Sequence, residues 1–261
     1  MIDVFPIGNL SRQKTEIMKK IKLIPHIIFV VGIIIFLTSC DIIYMDVPNE
    51  LNMPLAGNKG EFKGAAYYGN VNDAAPVGLI GVQVSYAIDS HFVVLVNSQN
   101  SLPNDTIRHF LEEIGCGYFK KIGKHDRGRF ELLSGIGYGE THAKAAADNY
   151  LNATFSQIFV QPDIGIVGRS AEIGIGTRIR LLDANGSYMH DGDNYTAVNY
   201  MAAFFDPSLM VSFGSEYVKL HGAIGKSLFI GGNQQLFNVH QDTFIYFGLT
   251  LNLGRKYKER K

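Results

Sequence analysis

The sequence predicts an all-β protein: a closed antiparallel up-and-down transmembrane β-barrel of about ten strands, preceded by a signal-peptide helix. Three observations predict it. Apolar residues alternate with small or polar ones at period two through most of the chain after Glu61, the spacing of a strand with one apolar face. The connections between these runs alternate short and long, which puts the short ones on one rim and the long ones on the other. Only 18% of residues are charged, while Gly numbers 28 and aromatics make up 11%. A water-facing surface of this size ordinarily carries more Lys and Glu.

Composition narrows the field further. The chain has 261 residues with 46% hydrophobic content, which argues against disorder, collagen and a multi-span helical membrane protein. A formal charge of zero gives no footprint for nucleic acid, whose phosphates demand a Lys/Arg excess. Two cysteines cannot build a disulfide framework.

The N-terminal element is an export signal. Met18-Lys19-Lys20-Ile21-Lys22 is a positive n-region, Ile27 to Leu37 is an apolar h-region, and Leu37-Thr38-Ser39-Cys40 completes the three parts. The apolar run is short of the roughly 20 residues a spanning helix needs. Pro25, His26 and the lysines interrupt any longer helix, which disfavours a membrane-anchor helix as the alternative. Residues 1–17 lack signal character, which points to Met18 as the translation start.

Leu37-Thr38-Ser39-Cys40 resembles the bacterial lipobox, in which a cysteine is acylated and becomes the new N-terminus after cleavage. The resemblance implies that Cys40 is the lipidation site, that a signal peptidase acts before it, and that acyl chains fix the mature N-terminus to a membrane. Cys116 is then left without an intrachain partner. Removing residues 1–39 leaves 19 basic and 22 acidic residues, a net charge of −3. The expected organisation is signal peptide 1–39, lipidated N-terminus and tether 40–60, barrel 61–254 and basic tail 255–261.

The strands follow in order: 61–69, 79–88, 91–98, 108–122, 128–142, 150–167, 169–183, 199–214, 217–229 and 243–254. In the seventh, Ile173, Ile175, Thr177, Ile179 and Leu181 share one face, while Glu172, Gly174, Gly176, Arg178 and Arg180 share the other. The fifth splits the same way, Phe130, Leu132, Ser134, Ile136 and Tyr138 against Glu131, Leu133, Gly135, Gly137 and Gly139. Asp89-Ser90, Gly123 to Arg127, Gly168-Arg169 and Ser215-Glu216 are the short connections; Ala184 to Val198 and Ile230 to Asp242 are the longest. Phe159 to Asp163 and Phe204 to Ser208 each place a proline inside a strand. Lacking a ladder donor, Pro162 and Pro207 are expected at bulges that curve the wall, or else at strand breaks.

A soluble barrel alternates too, so face composition decides. With the apolar face inward, the exterior would be Gly, Ser and Ala with few charges, a poorly solvated surface. With it outward, bulky side chains meet lipid, small ones fill a narrow interior, and Phe130, Tyr138, Phe205 and Phe213 lie near strand ends where aromatic girdles belong. Closure also pairs every backbone group within hydrocarbon. With the lipobox, the layout resembles the lipid-anchored small barrels of Gram-negative outer membranes, OmpA-like and porin-like. That resemblance implies outer-membrane localisation through Cys40, contact with outer-membrane lipid, and dependence on the barrel-assembly machinery. The chain departs from it in ending on a basic tail in place of a terminal aromatic.

The outward orientation aims Glu131, Asp163, Glu172, Arg178, Arg180, Asp206, Lys219 and His221 into the lumen, where buried charge must be paired. Asp191-Gly192-Asp193-Asn194 offers oxygen ligands without the closing Glu of a calcium loop. His142, Asp148, Ser187, His190 and His240 fall on the long-loop rim, but no Gly-x-Ser-x-Gly, His-Glu-x-x-His or phosphate loop accompanies them. No metal, cofactor or catalytic residue is expected. The expectation is a non-enzymatic barrel lipoprotein that is envelope-structural or binds an external ligand through its long loops. The alternatives are a narrow porin-like channel and a soluble barrel lipoprotein tethered in the periplasm.

Overall fold

The computed structural model describes residues 47–72, 77–103, 107–123, 126–144, 150–189, 196–232 and 242–255. Ten strands follow in chain order: β1 (Phe62–Asn72), β2 (Val77–Ala87), β3 (Phe92–Ser101), β4 (Ile107–Ile122), β5 (Gly128–Lys144), β6 (Tyr150–Val167), β7 (Ala171–Met189), β8 (Thr196–Gly214), β9 (Val218–Gly232) and β10 (Asp242–Leu253). Each pairs antiparallel with the next, and β1 pairs with β10 to close the barrel. The β1/β10 seam runs without a register shift from Phe62↔Leu253 to Asn72↔Thr243.

Local chemistry explains the short rim. After β2, the Asp89 carboxylate accepts the N–H groups of His91 (2.6 Å) and Phe92 (2.8 Å), closing the turn from within. These two bonds hold the Asp89 carboxyl below the usual carboxylate range. After β8, the Ser215 hydroxyl accepts the Val218 N–H at 3.0 Å. Gly123, after β4, has φ +83°, which an unbranched Cα tolerates best.

The opposite rim stands taller than expected. β7 runs on to Met189 and β8 begins at Thr196, so most of the expected loop from Ala184 to Val198 is strand, paired residue for residue. β9 likewise continues to Gly232, past the expected loop start at Ile230. The prolines bring another correction. Pro162 pairs opposite Leu132, Pro207 opposite Thr177, and the register continues unbroken on both sides of each. No bulge forms there and neither strand ends, but the β6/β7 pairing skips Gln161 and Pro162 and the β8/β9 pairing skips Asp206 and Pro207; the register shift between β8 and β9 falls at Ala203/Phe204. Successive N–H groups of an antiparallel strand serve opposite neighbours, so a missing donor interrupts one ladder and leaves the other intact.

Face polarity divides the barrel by height. In the half nearest the short turns, bulky apolar side chains point outward and stand exposed, among them Ile136, Ile164, Ile175 and Leu249, as expected. The outward apolar stretches run from Phe130 to Tyr138 on β5, Ile158 to Ile166 on β6 and Ile173 to Leu181 on β7. Each covers about nine residues, within the roughly 9–11 that a tilted strand needs to cross hydrocarbon. Phe92, Tyr118, Phe130 and Phe213 ring its lower edge, with Tyr68, Tyr138 and Phe247 at the upper.

Above that belt the same strands reverse. Asn152, Thr154, Asp183 and Asn185 face out, while Leu151, Ala153, Phe155, Leu182 and Ala184 face in and are buried. Together with Phe204, Phe244 and Tyr246 they form the main apolar core cluster.

Candidate functional site

The lumen is occupied. Residues 47–56, expected as part of a tether, run inside the wall with every residue buried. This plug follows one direction. Near mid-barrel the Pro48 carbonyl accepts Tyr246 O–H (2.5 Å) and Asn49 Oδ1 accepts Tyr67 O–H (2.7 Å), on β10 and β1. At the short-turn mouth the Gly60 N–H donates to the Ala87 carbonyl at 2.8 Å, and β1 begins directly after.

The plug belongs to no ladder, so its backbone groups need other partners. Wall side chains supply them. Gln83 Nε2 donates to the Glu50 carbonyl, Gln161 Nε2 to that of Asn52, both at 2.8 Å, and Lys63 Nζ to that of Met53 at 2.7 Å. Glu131 takes the N–H groups of Leu55 (2.9 Å) and Ala56 (2.7 Å) on its two oxygens. Leu55 lies in the left-handed region, φ +49°, which turns two successive amides toward one carboxylate. Glycines make the space: a Cβ on Gly165 would lie 2.8 Å from Leu55, and one on Gly57 would lie 2.6 Å from the Arg129 guanidinium.

All eight charged residues aimed at the lumen by the sequence face it and are buried. Glu172 is a hub at the mouth, 2.6 Å from Lys219 Nζ, 2.5 Å from Arg255 Nη1 and 3.8 Å from Lys63 Nζ. Arg178 pairs with Glu113 at 2.8 Å, shares the Gln161 amide oxygen and stacks over Phe159. Asp163 accepts Gln161 Nε2 at 2.8 Å. Arg180 pairs with Asp206 at 2.6 Å, and Ser227 Oγ bridges to the other Asp206 oxygen at 2.6 Å. His221 Nε2 lies 3.0 Å from Glu50 of the plug. Removing one partner of a buried ion pair such as Arg178–Glu113 or Arg180–Asp206 costs about 3–5 kcal/mol.

Sequence reasoning missed five members of this network: Glu50, Lys63, Glu113, Gln161 and Arg255. Two signals could have exposed it. The inward face carries too many glycines for the wall to fill its own lumen, and Asn49, Glu50 and Asn52 alternate with Leu51, Met53 and Leu55 in the supposed tether. The basic tail is anchored at its first residue, since Arg255 also donates to the Pro54 and Leu55 carbonyls at 2.9 and 3.1 Å.

The other singled-out residues do not converge. His142 lies on β5, exposed, with Nδ1 2.8 Å from Asn152 Oδ1; Ser187 lies two strands away on β7. Asp148, His190, His240, the Asp191 to Asn194 stretch, Cys40 and the signal segment lie outside the described residues. Among the described residues no group of three or more His, Cys, Asp or Glu side chains is placed to hold a metal ion. Cys116 is a free thiol on the outer face.

No family profile and no curated protein matches the sequence. Among solved structures, the chain is similar to the N-terminal β-barrel domain of Pseudomonas aeruginosa OprF, at 9% identity, covering 75% of this chain and 98% of that one, TM-score 0.37. It is also similar to the outer membrane protease OmpT of Escherichia coli, at 8% identity over 74% and 97% of the two chains, TM-score 0.43. The third is an outer membrane channel of Pseudomonas putida F1, at 8% identity over 80% and 100%, TM-score 0.35.

Proposed function

We propose that the protein is an outer-membrane barrel lipoprotein, anchored through Cys40, whose lumen is sealed by its own N-terminal segment and whose work is non-enzymatic. It supports the envelope or binds an external ligand with the projecting rim of β5 to β8. The observation that carries this reading is the pairing of an apolar belt of membrane height with a plug whose Leu51, Met53 and Leu55 are fully buried. A belt of that kind suits hydrocarbon, and a plug bonded to side chains on β2, β3, β5 and β6 supports a sealed lumen.

Two measurements test it. In planar bilayers the purified protein gives no discrete conductance steps; regular steps would replace a sealed barrel with a narrow channel. In cells carrying Cys40→Ala, the protein stays in the membrane pellet after carbonate extraction. Release into the supernatant would instead establish a soluble module held only by its acyl chains.

A further inference from the structure

The barrel grips its plug mainly by the main chain. Six plug carbonyls accept bonds from side chains of the wall or of Arg255: Pro48 from Tyr246, Glu50 from Gln83, Asn52 from Gln161, Met53 from Lys63, and Pro54 and Leu55 from Arg255. The Leu55 and Ala56 amides donate to Glu131. Among the described residues, polar contacts to plug side chains reach Asn49, Glu50 and Asn52, from Tyr67, Glu113, His221 and Asn97. Main-chain bonds are the same for every residue type, so they give affinity for polypeptide without reading its sequence.

Selectivity comes from notches in the wall. A Cβ on Gly176 would lie 2.9 Å from Met53 and one on Gly174 3.1 Å from it, while a Cβ on Gly165 would lie 2.8 Å from Leu55. Two apolar side chains, two residues apart, therefore sit where the wall has none of its own. The plug also leaves part of the wall's bonding capacity unused. Asn252, paired with Lys63 in the β1/β10 register, is 2% exposed and has both polar atoms without a hydrogen-bond partner among the described residues. The same holds for Asp163 Oδ1 and Gln99 Nε2. Water can satisfy the amide, carboxylate and ammonium groups that hold the plug, so its bonds can be exchanged at modest net cost.

We propose that the lumen is a peptide-binding site, selective for a short irregular segment with two apolar side chains two residues apart, and that residues 47–56 are its resident occupant. The proposal rests on the sealed lumen and is independent of lipidation at Cys40. The plug continues into β1 through residues 57–61 at the short-turn mouth. That covalent link gives it an effective concentration that a free peptide must outcompete. Severed there, it becomes an ordinary ligand, and a second peptide of the same chemistry takes its place.

The test inserts a protease site between Asn58 and the exposed Lys59 of the full chain carrying Cys40→Ala, so that no acyl chain retains the severed segment. The protein folds with its plug in place and is cut afterwards in lipid vesicles. A fluorescent peptide with the sequence of residues 47–57 is then titrated by polarisation. It is expected to displace the severed segment and to bind the cut protein at least about tenfold more tightly than the uncut one. Replacing the peptide's Ala56 N–H with an ester oxygen deletes one bond to Glu131 and is expected to weaken binding by about tenfold; Asn52→Ala in the peptide, which deletes one neutral side-chain bond, is expected to weaken it by about fivefold or less. These changes lie in the peptide, so folding of the barrel is not at issue. The reverse ranking would make the plug a sequence-specific latch and overturn the proposal. Equal binding to cut and uncut protein, or a severed segment that excess peptide does not displace, overturns it as well. Conductance steps from the uncut protein would overturn the sealed lumen and this proposal with it, whereas a silent uncut protein whose cut form takes up no peptide overturns this proposal alone.

Discussion

The lower and upper halves of this barrel are built from the same strands in the same register, yet their polarity is opposite. Along β7, Ile173, Ile175, Ile179 and Leu181 face out and Glu172, Arg178 and Arg180 face in; one residue later Leu182 and Ala184 face in while Asp183 and Asn185 face out. The adjacent pair Leu181-Leu182 marks the switch. A strand offers two faces and no preference between them; the medium outside decides which one is apolar. Below the switch the medium is hydrocarbon and the interior carries the charges. Above it the medium is water and the wall behaves like that of a soluble barrel, with Phe155, Leu182 and Phe204 in its core.

Substitutions within each half put this contrast to work. The largest effect belongs to the charged interior: Asp206→Ala leaves the buried Arg180 guanidinium without its carboxylate and lowers the unfolding free energy by about 3–5 kcal/mol, read by urea titration from lipid vesicles. Leu182→Ala in the upper interior costs about 2–5 kcal/mol in the same assay, from lost burial and a cavity. A negligible value there would mean that the upper half is no packed core, and the contrast would break. Next come two changes on one outer face. Ile175→Lys lies within the belt and costs about 2–4 kcal/mol, whereas Asn185→Lys, farther along the same strand, changes stability by less than about 0.5 kcal/mol. Equal penalties would move the membrane boundary off the switch. The smallest effect is at the turn. The Asp89 carboxyl is held low by its two backbone donors, so its contribution is complete above the ordinary carboxylate pKa of about 3.9 and fades as pH falls through the lowered value. Asp89→Asn removes that acid sensitivity, seen as a flatter dependence of unfolding on pH below that point.

The wall was legible in the sequence because period two is a local property. Ten strands, the short turns and the outward face of residues such as Ile173 and Leu249 all follow from neighbours two apart. The phase switch is local too, written in Leu181-Leu182, but an expectation of one apolar face per strand passes over it and shortens β7 and β8. The plug was not legible for a different reason. Its partners lie far away in the chain, Glu131 for Leu55 and Gln161 for Asn52, and two prolines with weak periodicity read locally as a linker. The lumen charges were placed by parity, but their pairing depends on the barrel's circumference. Arg178 meets Glu113 across three strands, a relation no spacing encodes.

Arg255 follows the last strand, yet its guanidinium grips residues that precede the first: the Pro54 and Leu55 carbonyls, with Glu61 at 3.3 Å. Closure of β10 on β1 and retention of the inner segment therefore share one side chain. The enclosed segment is bonded to β2, β3, β5 and β6 as well. One guanidinium thus fastens the strand that closes the barrel to the segment the barrel encloses.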